Sequence, residues 1–208
     1  MVKFIVLGDH QTGKSSIIRR FCYDTYTTHY RPTTGVDYHQ KAVHVSGVDY
    51  RIELWDLTGR DKIGGLATSY YRKALGAVIV CDAEKPLYSN LMKWKEDLDE
   101  KTSLPNGNPT PTVLMVNKTD SAGSVDSTKL DAFCAKFGFI GWFATSAKQG
   151  STGISDGVFA LLNAVLSEDR VIVHERAREG EDDITFDVDD GMSGAIVPDV
   201  VKNNCTIG

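Results

Sequence analysis

The chain has 208 residues, with 23 Lys and Arg against 28 Asp and Glu, a net charge of −5 and no basic stripe, which argues against nucleic acid as a partner. No apolar run approaches the roughly 20 residues that a helix needs to cross a bilayer, and the first residues enter a strand pattern rather than a charged and apolar leader, so the cytosolic side is the expected compartment. The four cysteines, Cys22, Cys81, Cys134 and Cys205, are spaced too widely for a zinc site or a disulfide framework and read as reduced, packed thiols for the first three.

In chain order, Val2–Leu7 is a short apolar run that predicts a buried strand, and residues 15–23 predict a helix with Ile17, Ile18 and Phe21 on one face. Residues 23–34 are polar and aromatic without a period, a loop. Val36–Val45 and residues 48–55 read as two strands joined by the hairpin signal Ser46-Gly47, so one antiparallel pair interrupts an otherwise parallel sheet. Residues 60–73 form a glycine-containing loop passing into a short helix, and residues 77–81 are a second buried run. Residues 88–101 carry Leu91, Trp94, Lys95 and Leu98 at helical spacing, and Leu104-Pro-Asn-Gly107 stops that helix. A third buried strand (113–116), a helix closed by Gly138 (130–137), a short strand (141–144) and a last amphipathic helix (154–166) follow. This alternation predicts a doubly wound α/β fold: a mostly parallel six-stranded sheet with one antiparallel strand and helices on both faces. Residues 168–208 hold four Lys and Arg against eleven Asp and Glu, with few clustered apolar residues, so the expected organisation is one domain over 1–167 and an acidic, mostly disordered extension.

The first strand leads into Gly8, Asp9, His10, Gln11, Thr12, Gly13, Lys14 and Ser15, which fit G-x-x-x-x-G-K-[ST] in the strand, loop, helix context that the motif requires. Glycines let successive backbone N–H groups and the helix N-terminus, with Ser16 behind it, converge on phosphate. Lys14 adds a positive charge near the terminal phosphates, and the Ser15 hydroxyl suits Mg²⁺. Ligands of an open α/β sheet sit beyond the carboxyl ends of its strands, where the other signals fall. Asp56 is a candidate metal carboxylate, Gly59 leaves its N–H free for a γ-phosphate, and the Thr33 hydroxyl can complete the metal shell from its loop. Asn117, Lys118 and Asp120 follow the third buried strand, and Asp120 chooses the base: its carboxylate accepts from both the ring N–H and the exocyclic amine of guanine, whereas adenine offers it a lone pair. Thr145, Ser146, Ala147 and Lys148 end the last strand, with the Ala147 N–H available to the guanine carbonyl. The expected ligands are therefore GTP or GDP with Mg²⁺.

These motifs resemble the Rab branch of the small GTPases over residues 2–167: Thr34-Gly-Val-Asp-Tyr38 resembles its switch I signature, Trp55-Asp56 the start of switch II and Tyr70-Tyr71-Arg72 its end. Residues 93–99, Leu104-Pro-Asn-Gly107 and Gly141-Trp142-Phe143 resemble the subgroup linked to lysosome-related organelles. The resemblance implies a P-loop small GTPase fold and a nucleotide-dependent switch in vesicle trafficking. It implies Tyr26 packed against guanine, and Tyr38, Trp55 and Tyr70 as the aromatic surface for effectors. It also implies exchange factors, GTPase-activating proteins and peripheral attachment to the cytosolic face of an endosomal, Golgi or lysosome-related membrane.

Three departures qualify it. Arg60 stands where the family has the glutamine that orients the attacking water, and a guanidinium cannot accept a hydrogen bond from water, so nucleotide binding survives and hydrolysis slows. Gln11 reaching the water, or Arg60 stabilising transition-state charge, remain open as substitutes. His10 and Gln11 replace a small residue and a glycine, adding bulk near the γ-phosphate. Cys205 is a lone cysteine in Cys205-Thr-Ile-Gly208, which is prenyl-acceptor spacing without the paired cysteines of Rab tails. Beside the switch stands a second function, a GTP-locked interaction protein without useful turnover; an ATP-using enzyme is disfavoured by Asp120.

Overall fold

Side-chain alternation along the first strand, β1 (Val2–Leu7), divides the hydrophobic interior into two layers. Phe4 and Val6 point to one face of the sheet, into a core with Ile17, Ile18 and Phe21 of α1 (Lys14–Tyr23) and Val158, Leu161 and Val165 of α5 (Thr152–Ser167). Ile5 and Leu7 point to the other, where Leu91, Trp94 and Leu98 of α3 (Ser89–Lys101) and Leu130 and Phe133 of α4 (Ser127–Phe137) cover them. Each of these large side chains contributes about 1.5–3 kcal/mol by leaving water, so the two apolar stripes hold helices on both faces.

The computed structural model describes residues 1–29, 31–33, 35–57, 68–85, 89–122 and 125–168. Its six-stranded sheet runs β2-β3-β1-β4-β5-β6, with β2 (Val36–Val45), β3 (Val48–Leu57), β4 (Gly76–Asp82), β5 (Thr112–Asn117) and β6 (Gly141–Thr145), and a single-turn α2 (Thr68–Tyr71). β2 pairs antiparallel with β3 and the remaining neighbours are parallel, as the alternation predicts. Ser46 and Gly47, at φ 52° and 82°, make the tight turn between Val45 and Val48 that a right-twisted hairpin prefers. Gly138 closes α4 in the left-handed conformation at φ 69°.

The predicted strands end early. β3 runs to Leu57, β5 to Asn117 and β6 to Thr145, because the ladders pairing Asp56 with Val6, Asn117 with Asp82 and Asn117 with Thr145 continue beyond the apolar side chains. Asp56, Asn117 and Thr145 thus lie inside strands rather than after them. β1 has β3 on one side and β4 on the other. The strand order therefore reverses at the carboxyl end of β1, where a doubly wound sheet opens its ligand crevice. The sequence expectations for Gly59, Arg60, Cys205 and the acidic extension beyond residue 168 lie outside the described residues.

Candidate functional site

The phosphate loop leaves β1 at that reversal. Gly8 has φ +133°, and a Cβ there would stand 2.2 Å from the Val80 carbonyl oxygen; Gly13 has φ +97°, and a Cβ there would stand 2.2 Å from Asn117 Nδ2. Both positions need glycine because a strand and a buried side chain lie where a side chain would go. Gln11 adopts φ +63° without that freedom. Lys14 is buried and its Nζ donates to the carbonyls of Gly8 and Asp9, each at 2.9 Å. Burial pushes its pKa down to about 8, opposed by the Asp56 and Asp9 charges. Thr12 Oγ1 also donates to the Asp9 carbonyl, at 2.9 Å. His10 and Gln11 are exposed at the tip, and Ser16 is half-buried in the first turn of α1.

Ser15, Thr33 and Asp56 meet beside this lysine although they come from a helix, a loop and a strand. Ser15 Oγ lies 3.0 Å from Thr33 Oγ1 and donates to Asp56 Oδ2 at 2.5 Å, and Thr33 Oγ1 donates to the same oxygen at 3.3 Å. Asp56 is 2 % exposed, and its Oδ1 is buried with no partner among the described residues. Burial pushes its carboxyl above the usual range, against the hydrogen bond from Ser15 and the charge of Lys14. An orphaned carboxylate oxygen beside two hydroxyls is a hard-oxygen set, and it fits Mg²⁺. Among the described residues no three His, Cys, Asp or Glu gather as a softer metal would want.

At the other end of the crevice Asn117 ties two loops together. Its Nδ2 donates to the Thr12 carbonyl at 2.9 Å, while its Oδ1 accepts from the Ala147 N–H and Thr145 Oγ1, each at 3.3 Å. Asp120 Oδ1 accepts from Ser146 Oγ at 2.6 Å, and its Oδ2 stands 3.8 Å from Lys148 Nζ. Lys118, at φ 66°, turns its ammonium onto Asp82 Oδ2 at 2.7 Å. The Ala147 N–H, expected to face a guanine carbonyl, makes among the described residues the long contact to Asn117 Oδ1. Tyr26 is 40 % exposed on the loop after α1.

The Ras family model matches residues 3–167. Among relatives, Ras-related protein Rab-32 of Mus musculus is 41% identical over 153 residues, 72% of this chain and 69% of its own length. The chain belongs to the Ras family, in its Rab branch. Rab-7L1 of Homo sapiens is 34% identical over 187 residues, covering 88% of this chain and 86% of its own, and Rab-32B of Dictyostelium discoideum is 38% identical over 169 residues, 80% and 65%. Members of this family bind guanine nucleotide with Mg²⁺ and hydrolyse GTP.

The aromatic surface of this Rab-type chain is partly assembled by cross-strand register. Tyr38 lies opposite Trp55, 59 % exposed, with ring centroids 6.0 Å apart in a stacked arrangement. Trp55 and Tyr70 are half-buried against the core. Lys3 Nζ sits 3.6 Å above the Trp55 ring and donates to the carbonyls of Tyr70 and Arg72 at 2.8 and 2.9 Å, and Glu53 accepts from Trp55 Nε1 at 3.3 Å. Lys3 and Glu53 are invisible to motif reading, as is Arg20, whose Nε donates to the Ala147 carbonyl at 2.8 Å from 127 residues away. Asp82, by contrast, had a signal: it directly follows the apolar run 77–81 and ends β4.

Proposed function

We propose that the chain is a guanine-nucleotide switch in membrane trafficking, peripheral on the cytosolic face of an endosomal, Golgi or lysosome-related membrane. The observation that carries this reading is the meeting of Ser15, Thr33 and Asp56 beside Lys14, because Thr33 belongs to a loop that joins the other two only when folded against the phosphate loop. A switch needs that arrangement: a ligand that engages Thr33 orders a segment continuous with β2 and Tyr38, and its loss releases it. Ser15, Thr33 and Asp56 would hold Mg²⁺, which when bound neutralises charge developing on the β- and γ-phosphate oxygens. Lys14 and the backbone N–H groups of residues 9–16 hold the phosphates, and the Gly59 N–H is assigned to the γ-phosphate. Asp120, with its Oδ1 held by Ser146, selects guanine. Asn117 and Lys118 frame the base, Tyr26 covers it, and Ala147 with Lys148 closes its edge.

Hydrolysis is slow in this reading because Arg60 cannot orient water. Effectors bind across Tyr38, Trp55 and Tyr70, and exchange factors and GTPase-activating proteins complete the cycle. Among the described residues no helix is long and apolar enough to cross a membrane; attachment is assigned to a prenyl group on Cys205, and the intact mass of protein from its native cell beside a Cys205→Ser variant tests it. The central experiment extracts and identifies the nucleotide from purified full-length protein, then follows one turnover. Guanine nucleotide hydrolysed slowly supports the switch; GTP retained without turnover, even with a family-type activating protein, favours the GTP-locked interaction protein; ATP occupancy overturns the reading.

A further inference from the structure

Asp9 is the second residue of the phosphate loop, and its side chain turns away from the crevice toward α3. Both carboxylate oxygens are taken there: Oδ1 accepts from Trp94 Nε1 at 3.0 Å and Oδ2 from Asn90 Nδ2 at 2.8 Å. Asn90 and Trp94 are four residues apart, so they rise from one face of the first turns of α3, an end of the helix whose dipole favours a carboxylate. Trp94 is 2 % exposed, and the indole N–H is its only polar side-chain group. Rotating Asp9 away therefore strands a buried donor. The backbone of the same residue carries weight on the crevice side, because the Asp9 carbonyl accepts from Lys14 Nζ and from Thr12 Oγ1, both at 2.9 Å. A single residue thus joins a rigid helix to the cation of the loop.

We propose that Asn90 and Trp94 are positioning residues of the phosphate loop. By holding both oxygens of Asp9 they fix the carbonyl that receives Lys14 and Thr12, and α3 thereby sets how long bound nucleotide is retained. The role rests on the guanine-nucleotide reading above, but the clamp itself is a property of the loop that can be read without ligand. It adds an anchor to the one already described, Thr12 against Asn117.

The experiment compares full-length protein with Trp94→Phe, Asp9→Asn and the double variant, in two measurements. Phenylalanine keeps the buried ring and removes the donor. Asparagine keeps the shape of Asp9 but turns an N–H₂ toward one of the two donors. The first measurement is hydrogen exchange of the amides of residues 10–13 in EDTA-stripped protein, and the second is dissociation of fluorescent mant-GDP. Each single variant is expected to raise both rates about tenfold, the effect of losing one hydrogen bond to a charged group, and the double variant is expected to add no more than twofold to either single. Singles within twofold of the parent overturn the proposal, as do effects that multiply in the double variant, which would mean that Trp94 acts through packing alone. Asn90→Ala, at an exposed position that cannot disturb the core, should raise both rates about threefold and keeps the test decisive if the Trp94 variant fails to fold. If the parent protein does not retain mant-GDP, the nucleotide reading falls, while the exchange measurement still decides the clamp.

Discussion

Asn117→Ala is expected to loosen two loops at once. Asn117 is 2 % exposed and Thr12, whose carbonyl it caps at 2.9 Å, is 3 % exposed, so truncation leaves a buried carbonyl without its donor at a cost of about 1–3 kcal/mol. The two contacts to its Oδ1, at 3.3 Å from Ala147 N and Thr145 Oγ1, are long and add about 0.5 kcal/mol each. The sum, about 2–4 kcal/mol, is large against a typical folding stability of about 5–15 kcal/mol. Urea unfolding of nucleotide-free protein should show it as a lower midpoint with an unchanged slope, since the same surface is exposed on unfolding. Equilibrium titration with mant-GDP should show a fall in affinity of at least tenfold, because both the phosphate loop and the 145–148 segment lose their tie. Asn117→Asp separates a specific tie from simple space filling: it keeps the volume but points an acceptor at the Thr12 carbonyl, so it should cost at least as much as alanine. A loss below about 0.5 kcal/mol for alanine, or a milder effect for aspartate than for alanine, refutes the reasoning.

Gln11→Gly should raise stability by about 0.5 kcal/mol, since relief of a left-handed non-glycine residue at φ +63° exceeds the added entropy of the unfolded chain; thermal melts that move downward would show that the Gln11 side chain contributes contacts. Asp120→Asn should shift preference from guanine to xanthine nucleotides, because an amide whose Oδ1 stays with Ser146 Oγ turns its N–H₂ to the added carbonyl; competition binding that still favours GTP over XTP removes this account of the base. Arg60→Gln should raise single-turnover hydrolysis about tenfold or more, and an unchanged rate would mean that Gln11 or Arg60 itself serves the water. Burial pushes the Cys22 thiol up to about 11, against the pull of Lys41, so its thiolate is scarce at neutral pH. Its iodoacetamide reactivity, isolated by difference from Cys22→Ser, should climb about tenfold per pH unit from 7 to 10, and a plateau by pH 9 contradicts that burial.

Much of the fold was legible because its signals are periodic and local. Apolar runs marked β1, β4 and β5, the hairpin signal marked the β2 and β3 pair, and Ser46-Gly47 and Gly138 marked a turn and a cap whose left-handed geometry the structure shows. The phosphate, metal and base motifs were legible for a related reason: each of their pieces is one or a few consecutive residues at a strand end, a helix start or a loop. What escaped is the set of long-range contacts that hold those loops in place. Trp94 meets Asp9 across 85 residues, Asn117 meets Thr12 across 105, and Arg20 meets Ala147 across 127. A lone Trp on an apolar helix face, or an Arg on a short helix, has no local pattern that names its partner, because the partner is chosen by strand order.

Strand parity joins the core to the site. Ile52 and Leu54, Val78 and Val80, Val113 and Met115, and Phe143 all pack on the sheet face covered by α1 and α5. Counting on by two, the next residues of the same parity are Asp56, Asp82, Asn117 and Thr145. The polar groups of the crevice are therefore the continuation of the apolar series beyond the carboxyl edge of the helix layer, where side chains of that face meet the phosphate loop instead of a hydrophobic helix. Adjacent register aligns Asp82, Asn117 and Thr145 in one row. A one-residue slip of any of these strands would send its apolar set to the α3 and α4 face and its polar terminus with it. The burial that specifies the sheet thus also aims the site, and no separate feature of the sequence is needed to bring Asp56 under Ser15 or Asn117 under Thr12.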